Sequence, residues 1–139
     1  MTPRAYSESD IIVLLQAHGI QPTSPRVLIT QALFGQPSHI SADDMHRIVN
    51  AAGRRVSKAT IYNTLGLLTE KCIIREVIAD PNRIFYDPNT KPHHHFYDVD
   101  TGKLSDIDAS GVEINGLPSL PSGTQLEAVD VIVRLRSAK

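Results

Sequence analysis

The stretch SKATIYNTLGLLTEKCIIREVIADPNRIFY, residues 57–86, decides the fold of this chain. Ser57 is a good helix cap, and apolar residues recur at helical spacing after it, which predicts a helix from Lys58 to about Lys71. β-Branched residues then predominate from 72 to 79, a turn follows at Asp80-Pro81-Asn82, and residues 83–86 lead back. The stretch therefore predicts a helix followed by a two-stranded hairpin.

Three more helices are predicted before this stretch. The first covers residues 9–18, the second begins at Thr23 or Ser24 and ends before Gly35, and the third runs from Ala42 to Ala52. Two helices joined by a turn and followed by a hairpin form a winged helix-turn-helix. In helix-turn-helix proteins the second helix of the pair enters the major groove of DNA. We therefore predict a DNA-binding domain over residues 1–87.

A second, smaller module is predicted after a turn-rich hinge at residues 88–92. Residues 93–99 and 103–108 have the pattern of a hairpin, 109–123 that of a loop with one short helical turn, and 125–136 that of a long strand. So small a sheet cannot bury both faces alone, and a second copy of the chain would complete it. The fold class predicted is α+β, with a small α/β dimerisation and sensing domain over residues 93–139.

The composition is ordinary for a folded domain: 139 residues, 41% hydrophobic, and a formal net charge of −1. Nothing approaches the ~20 consecutive apolar residues of a membrane span, and the N-terminus lacks the apolar core of a secretory signal. We therefore expect a cytoplasmic protein without a membrane partner. A single cysteine, Cys72, excludes a disulfide within the chain and a four-cysteine zinc site, and we expect it to be buried.

The predicted DNA-reading helix carries polar groups on the face opposite its apolar stripe. Backbone amides at a helix N-terminus attract phosphate, and asparagine can pair with adenine in the major groove. Basic residues also crowd between positions 47 and 58, which gives a nearly neutral chain a locally basic face. The candidate DNA contacts are Arg26, Arg54, Arg55, Ser57, Lys58, Thr60, Tyr62 and Asn63. The alternative is a solvated helix face with a capped start.

A run of three histidines, His93-His94-His95, holds half of the histidine in the chain. On a strand, residues two apart point to the same side, so His93 and His95 can meet one ion while His94 faces away. The return strand of the hairpin brings Asp106 within reach, Asp87 lies across a tight turn, and His39 would come from the first module. Such a mixed set suits iron, manganese or zinc. The same histidine run could instead supply axial ligands to haem.

The chain resembles the ferric uptake regulator (Fur) family, and the resemblance covers about residues 9–137. The matching motifs are Pro25-Arg26, residues 39–43 (HISAD), residues 57–65 (SKATIYNTL), the histidine run, and residues 102–107 (GKLSDI). Residues 85–87 with 93–97, and the ending at 129–136, are similar to the iron response regulator branch of the family.

This resemblance implies a homodimeric transcription factor that binds operator DNA and controls genes of iron or haem homeostasis. It implies a regulatory metal site at the hinge, because His39, Asp87, His93, His95 and Asp106 fall where peroxide-sensing relatives place their ligands. The branch implies haem sensing through His93, His94 and His95. Many relatives hold a structural zinc with two Cys-x-x-Cys pairs, and this chain has Asp98 and Thr101 at the first pair and lacks the second.

Three alternatives remain open from the sequence. A peroxide-sensing, metal-dependent repressor would use iron at the same mixed site, where oxidation would fall on the histidines. A metal-dependent hydrolase would use a His/Asp site to activate water, although no general base or substrate pocket is evident. A metal-storage protein would hold the ion without binding an operator.

Overall fold

The computed structural model describes residues 6–36, 39–51, 53 and 55–138. The chain divides into two compact units, Met1–Thr90 and Lys91–Lys139. Helices predominate in the first unit and strands in the second, which confirms the α+β prediction.

The first unit contains four helices: α1 (Glu8–Ala17), α2 (Ser24–Phe34), α3 (Ala42–Ala51) and α4 (Lys58–Glu70). All four lie where the sequence predicts them. Ser57 caps α4 as expected, since its hydroxyl oxygen accepts from the backbone N–H of Thr60 at 3.1 Å. The apolar faces of the helices pack into one core, in which Ile11, Ile29 and Ile61 are fully buried.

Asn50 holds together the turn between α3 and α4. Its side-chain amide donates to the carbonyl oxygens of His46 at 2.7 Å and Val56 at 3.1 Å, and its side-chain oxygen accepts from the backbone N–H of Val56 at 2.9 Å. The two bonds to Val56 tie the end of α3 to the residue that precedes the cap of α4, and the bond to His46 holds the Asn50 side chain against its own helix. One half-buried side chain therefore fixes the conformation of this turn, while the buried apolar residues of α3 and α4 pack the two helices together.

The wing is a three-stranded sheet in the order β1-β3-β2, formed by β1 (Ile40–Ser41), β2 (Arg75–Asp80) and β3 (Arg83–Asp87). The hairpin β2–β3 is confirmed, with its turn at the predicted place. The strand β1 was not predicted, because two residues are too few to carry an alternating pattern. It pairs antiparallel with β3, with Ile40 opposite Tyr86 and Ser41 opposite Phe85.

The second unit contains a sheet in the order β5-β4-β6, formed by β4 (His94–Asp98), β5 (Leu104–Ile107) and β6 (Ile132–Leu135). The hairpin β4–β5 and a short 3₁₀ turn at Ala109–Gly111 confirm the prediction. The long strand predicted over residues 125–136 is wrong at its start. Only Ile132–Leu135 pairs with β4, and it does so in parallel, while residues 125–130 are irregular and exposed.

The expectation that Cys72 is buried is also wrong, since the residue is exposed. It follows the last residues of α4 with a φ of 59°, in the left-handed region. Glycine commonly ends a helix in this conformation, and the backbone here carries the cysteine side chain away from the core.

Among the described residues, no helix combines the length and apolar character needed to cross a bilayer.

Candidate metal centre and nucleic-acid interface

Three donor groups of the second unit meet on one side of the β4–β5 hairpin. His95 lies opposite Asp106 in the strand register. The Nε2 atoms of His93 and His95 lie 3.5 Å and 3.4 Å from the same carboxylate oxygen, Oδ1 of Asp106. The two imidazole rings are 4.6 Å apart between centroids. The hairpin thus brings together the three residues that the strand argument predicts to share a side.

The tautomer of His93 shows which of its ring nitrogens can bind a cation. Its Nδ1 lies 2.7 Å from the carbonyl oxygen of Lys91, and because a carbonyl only accepts, Nδ1 must be the donor. In the neutral ring Nε2 is then an acceptor, and it faces a carboxylate oxygen that is also an acceptor. Two acceptors face each other favourably only with a cation or proton between them. A backbone carbonyl that fixes the second ring nitrogen is the usual support of a metal-ligating histidine.

His94 lies on the opposite side of the strand, as predicted. The backbone N–H of Val131 donates to its Nδ1 at 3.1 Å, so this ring nitrogen is occupied as an acceptor. The bond links β4 to the segment that leads into β6. His94 therefore helps to hold the sheet together.

Two further donors lie together in the first unit, at the end of the β1–β3 ladder. Since Ile40 pairs with Tyr86, the next positions outward are His39 and Asp87. Both side chains are buried, and a ligand atom of each lies within 4.8 Å of the other. The ring of His39 also contacts that of Phe85 edge-on, with centroids 6.3 Å apart. The strand β1, which the sequence did not reveal, is what brings His39 beside Asp87.

The donor set fits a divalent transition metal. Two ligands each about 2.1 Å from an ion, at a tetrahedral angle, are about 3.4 Å from each other. The nitrogen-to-oxygen distances of 3.4 and 3.5 Å on the hairpin match this spacing. Imidazole together with carboxylate suits manganese, iron and zinc. The residues can therefore hold such an ion. The ion would act structurally, by holding its ligands at fixed distances from one another.

The polar face of α4 is exposed at its first two turns. Tyr62 and Asn63 are exposed, Tyr62 to 49%. The hydroxyl of Ser57 donates to that of Thr60 at 2.9 Å, so these two predicted contacts are tied to each other at the start of the helix. The surface that α4 offers to a ligand is thus formed mainly by Tyr62, Asn63 and Lys58.

The basic residues predicted to bind DNA differ in their surroundings. Arg55 is exposed, whereas Arg26 donates to the carbonyl oxygen of Gln21 at 3.1 Å. Nζ of Lys58 lies 3.9 Å from a carboxylate oxygen of Asp43. Arg54 lies outside the described residues. Among these residues, the charge of Lys58 is therefore partly offset by Asp43, while Arg26 is held by a backbone carbonyl.

A cavity of about 160 Å³, which the sequence did not predict, opens beside Tyr62. It is lined by Ser41, Ala42, Asp43, Tyr62 and the wing residues Pro81, Asn82, Arg83 and Ile84. The sequence feature that could have indicated this surface is Arg83, a basic residue directly after the Asp80-Pro81-Asn82 turn. Burial together with Glu76 and Tyr62 raises the pKa of the buried Tyr86, whose phenol stays protonated at neutral pH.

Comparison with known proteins gives consistent matches along most of the chain. The model of the ferric uptake regulator family matches residues 17–133. The peroxide-responsive repressor PerR of Staphylococcus aureus (strain Mu50) is 31% identical over 100 residues, which is 72% of this chain and 67% of that protein. The PerR of Staphylococcus epidermidis is 30% identical over 96 residues, which is 69% of this chain and 64% of that protein. The chain thus spans about two thirds of the length of these relatives.

A solved structure shares the fold over a larger part of both chains. The ferric uptake regulator of Pseudomonas aeruginosa, determined with manganese, superimposes with a TM-score of 0.71. The match covers 91% of this chain and 97% of that protein at 24% sequence identity. At this identity the likeness shows the fold.

Proposed function

Because the chain belongs to the ferric uptake regulator family, we propose that it binds operator DNA as a homodimer under the control of a metal ion. Members of this family are transcriptional regulators and not enzymes. The chain is accordingly a metal-responsive transcriptional regulator, and the hydrolase alternative is set aside. A regulator of transcription works at the chromosome, so the proposal places the protein in the cytoplasm.

One observation carries the metal part of the proposal: the Nε2 atoms of His93 and His95 share Oδ1 of Asp106 at 3.5 and 3.4 Å. We propose that these three residues, together with His39 and Asp87 of the first unit, hold one ion of iron, manganese or zinc. The manganese in the related Pseudomonas aeruginosa structure supports this choice of metals.

The proposed role of the ion is to fix the relation between the reading helix and the dimerisation unit. Ligands on both sides of the 88–92 hinge would favour one hinge angle over others. In a dimer, that angle sets the distance between two copies of α4, which must match half-sites about 34 Å apart. The ion shifts the population toward the binding form only if its affinity differs between the two hinge settings.

The proposed DNA contacts follow the exposed start of α4 and its neighbours. Tyr62 and Asn63 would reach base edges, and Lys58 together with the helix N-terminus would bind phosphate. Arg26, Arg54, Arg55, Ser57 and Thr60 complete the proposed set as phosphate contacts or as supports. Asn63 pairing with adenine is the contact we expect to determine sequence preference.

Dimerisation is proposed through the second unit, which exposes several large apolar side chains in the single chain. The side chains Ile114, Leu117, Leu120, Leu126 and Val129 are between 36% and 53% exposed. Apolar surface of this kind marks a protein–protein interface. With one cysteine in the chain, a four-cysteine zinc cannot support the dimer, so packing of these residues must do so.

Peroxide sensing is the proposed response that the relatives favour, since the matched proteins carry the name peroxide-responsive repressor. Iron at this site would place oxidation on His39 or His93, which mass spectrometry detects as one added oxygen atom.

Haem sensing, and membership of the iron response regulator branch, would need access to His93, His94 and His95. All three are buried, and each has a ring nitrogen in contact with a neighbouring group, so haem would require the hairpin to rearrange.

The test of the proposed function is DNA binding with and without metal. An operator is first selected from a random duplex library with the Mn²⁺-loaded protein, and its affinity is then measured by fluorescence anisotropy. We expect at least tenfold tighter binding with Mn²⁺ than after chelation, and no such gain for Asp106→Ala. A protein that selects no duplex, or that binds equally well after chelation, would overturn the proposal and leave metal storage as the better account.

A further inference from the structure

Two of the basic residues near the reading helix lie beside carboxylates at the start of α3. Asp44 accepts from Arg47 at 2.6 Å, and Asp43 lies 3.9 Å from Nζ of Lys58. The pair of Asp43 and Lys58 joins two helices, since Asp43 belongs to the first turn of α3 and Lys58 is the first residue of α4. Their side chains are 71% and 66% exposed, so both remain accessible.

Asp43 also lines the cavity beside Tyr62, together with residues of the wing turn. The carboxylate therefore stands between the reading helix and the wing. A DNA strand whose phosphate approaches Lys58 and the N-terminal amides of α4 must come close to this negative charge. The position is unusual for an acid in a surface that binds a polyanion.

From this placement we propose that Asp43 is a specificity-determining residue that limits sequence-independent DNA binding by occupying Lys58. The inference rests on the proposed DNA-binding function. Non-specific affinity comes almost wholly from phosphate contacts and the counterions they release. If Lys58 must leave Asp43 before it binds a phosphate, the contact between Lys58 and the phosphate replaces an existing ion pair. That contact then adds little affinity and releases few counterions. Base contacts made by Tyr62 and Asn63 do not depend on this exchange.

Asp43→Asn in the Mn²⁺-loaded full-length protein tests the inference. We expect its affinity for a random-sequence duplex to rise about threefold at low salt, because Lys58 no longer has to leave a carboxylate before it binds a phosphate. The slope of log affinity against log salt concentration should steepen by about 0.9 per protomer, one added phosphate contact. The gain should be smaller on the selected operator.

Glu70→Gln is the matched control, because it removes one negative charge at the exposed far end of α4. It should change neither affinity nor salt slope appreciably. Lys58→Gln supplies the second variant: in its background the effect of Asp43→Asn should fall by at least half. Thermal unfolding of each variant checks that the helices remain folded.

An equal gain from Glu70→Gln would show an effect of net charge and overturn the inference. A full effect of Asp43→Asn in the Lys58→Gln background would also overturn it, because Asp43 would then act without Lys58. Absence of duplex binding by the unsubstituted protein is a separate outcome, since it contradicts the proposed function itself.

Discussion

At the scale of single residues, Asp106 is the group on which the proposed metal centre depends. One of its oxygens lies within 3.5 Å of both hairpin imidazoles, although the aspartate side chain itself is 51% exposed. Asp106→Asn keeps the size of the side chain but removes the charge and offers a weaker ligand. We expect Mn²⁺ affinity, measured by titration calorimetry, to fall tenfold or more.

Glu113→Gln is the control for this loss, because Glu113 is an exposed acid of the same unit outside the donor set. It should bind Mn²⁺ as the unsubstituted protein does. A normal Mn²⁺ affinity in Asp106→Asn would contradict the role proposed for the carboxylate.

The donors differ in how far the sequence could predict their arrangement. His93, His95 and Asp106 follow from the alternation of side chains and the pairing of a hairpin, both of which are local rules. The proximity of His39 and Asp87 depends on β1, whose two residues pair with a strand more than 40 positions away. Periodicity cannot reveal a pairing that short. Cys72 was misjudged for a related reason, because its exposure is set by how α4 ends.

At the scale of elements, Asn50 fixes the turn between α3 and α4. Asn50→Ala removes three hydrogen bonds and leaves the backbone N–H of buried Val56 without its acceptor. We expect the free energy of unfolding, measured with urea, to fall by about 1–3 kcal/mol. Asn63→Ala, on the exposed face of α4, should leave stability within about 0.5 kcal/mol and reduce operator affinity instead. Equal stability of the two variants would contradict this assignment.

The attachment of β6 should depend on pH through Asp100. The backbone N–H of Ser137 donates to its carboxylate at 2.8 Å and lowers the pKa of that group. Because the folded pKa lies below the ordinary value of about 3.9, this contact stabilises the native state fully above that value. It is lost as the pH falls through the folded pKa.

The backbone amide signal of Ser137, followed by NMR against pH, measures this directly. We expect its inflection below the ordinary carboxyl pKa, and no such inflection in Asp100→Asn. An inflection at or above the ordinary value would show that the hydrogen bond does not favour the charged carboxylate.

The same part of the chain shows the limit of pattern-based prediction at this scale. Alternating apolar residues from 125 to 136 predicted one long strand, yet only four residues pair with β4. Leu126 and Val129 lie on the irregular segment and are exposed in the single chain. Apolar residues reserved for a partner chain produce the same alternation as residues buried within a strand, so the sequence cannot separate the two cases.

At the scale of the whole molecule, the central claim is that donors from both units hold one and the same ion. The Mn²⁺ stoichiometry at this site, measured by calorimetry on the full-length protein and on His39→Ala and His95→Ala, tests it most directly. We predict one ion per protomer, with binding weakened at least tenfold by either substitution. Two independent ions, with each variant losing only one of them, would contradict the account.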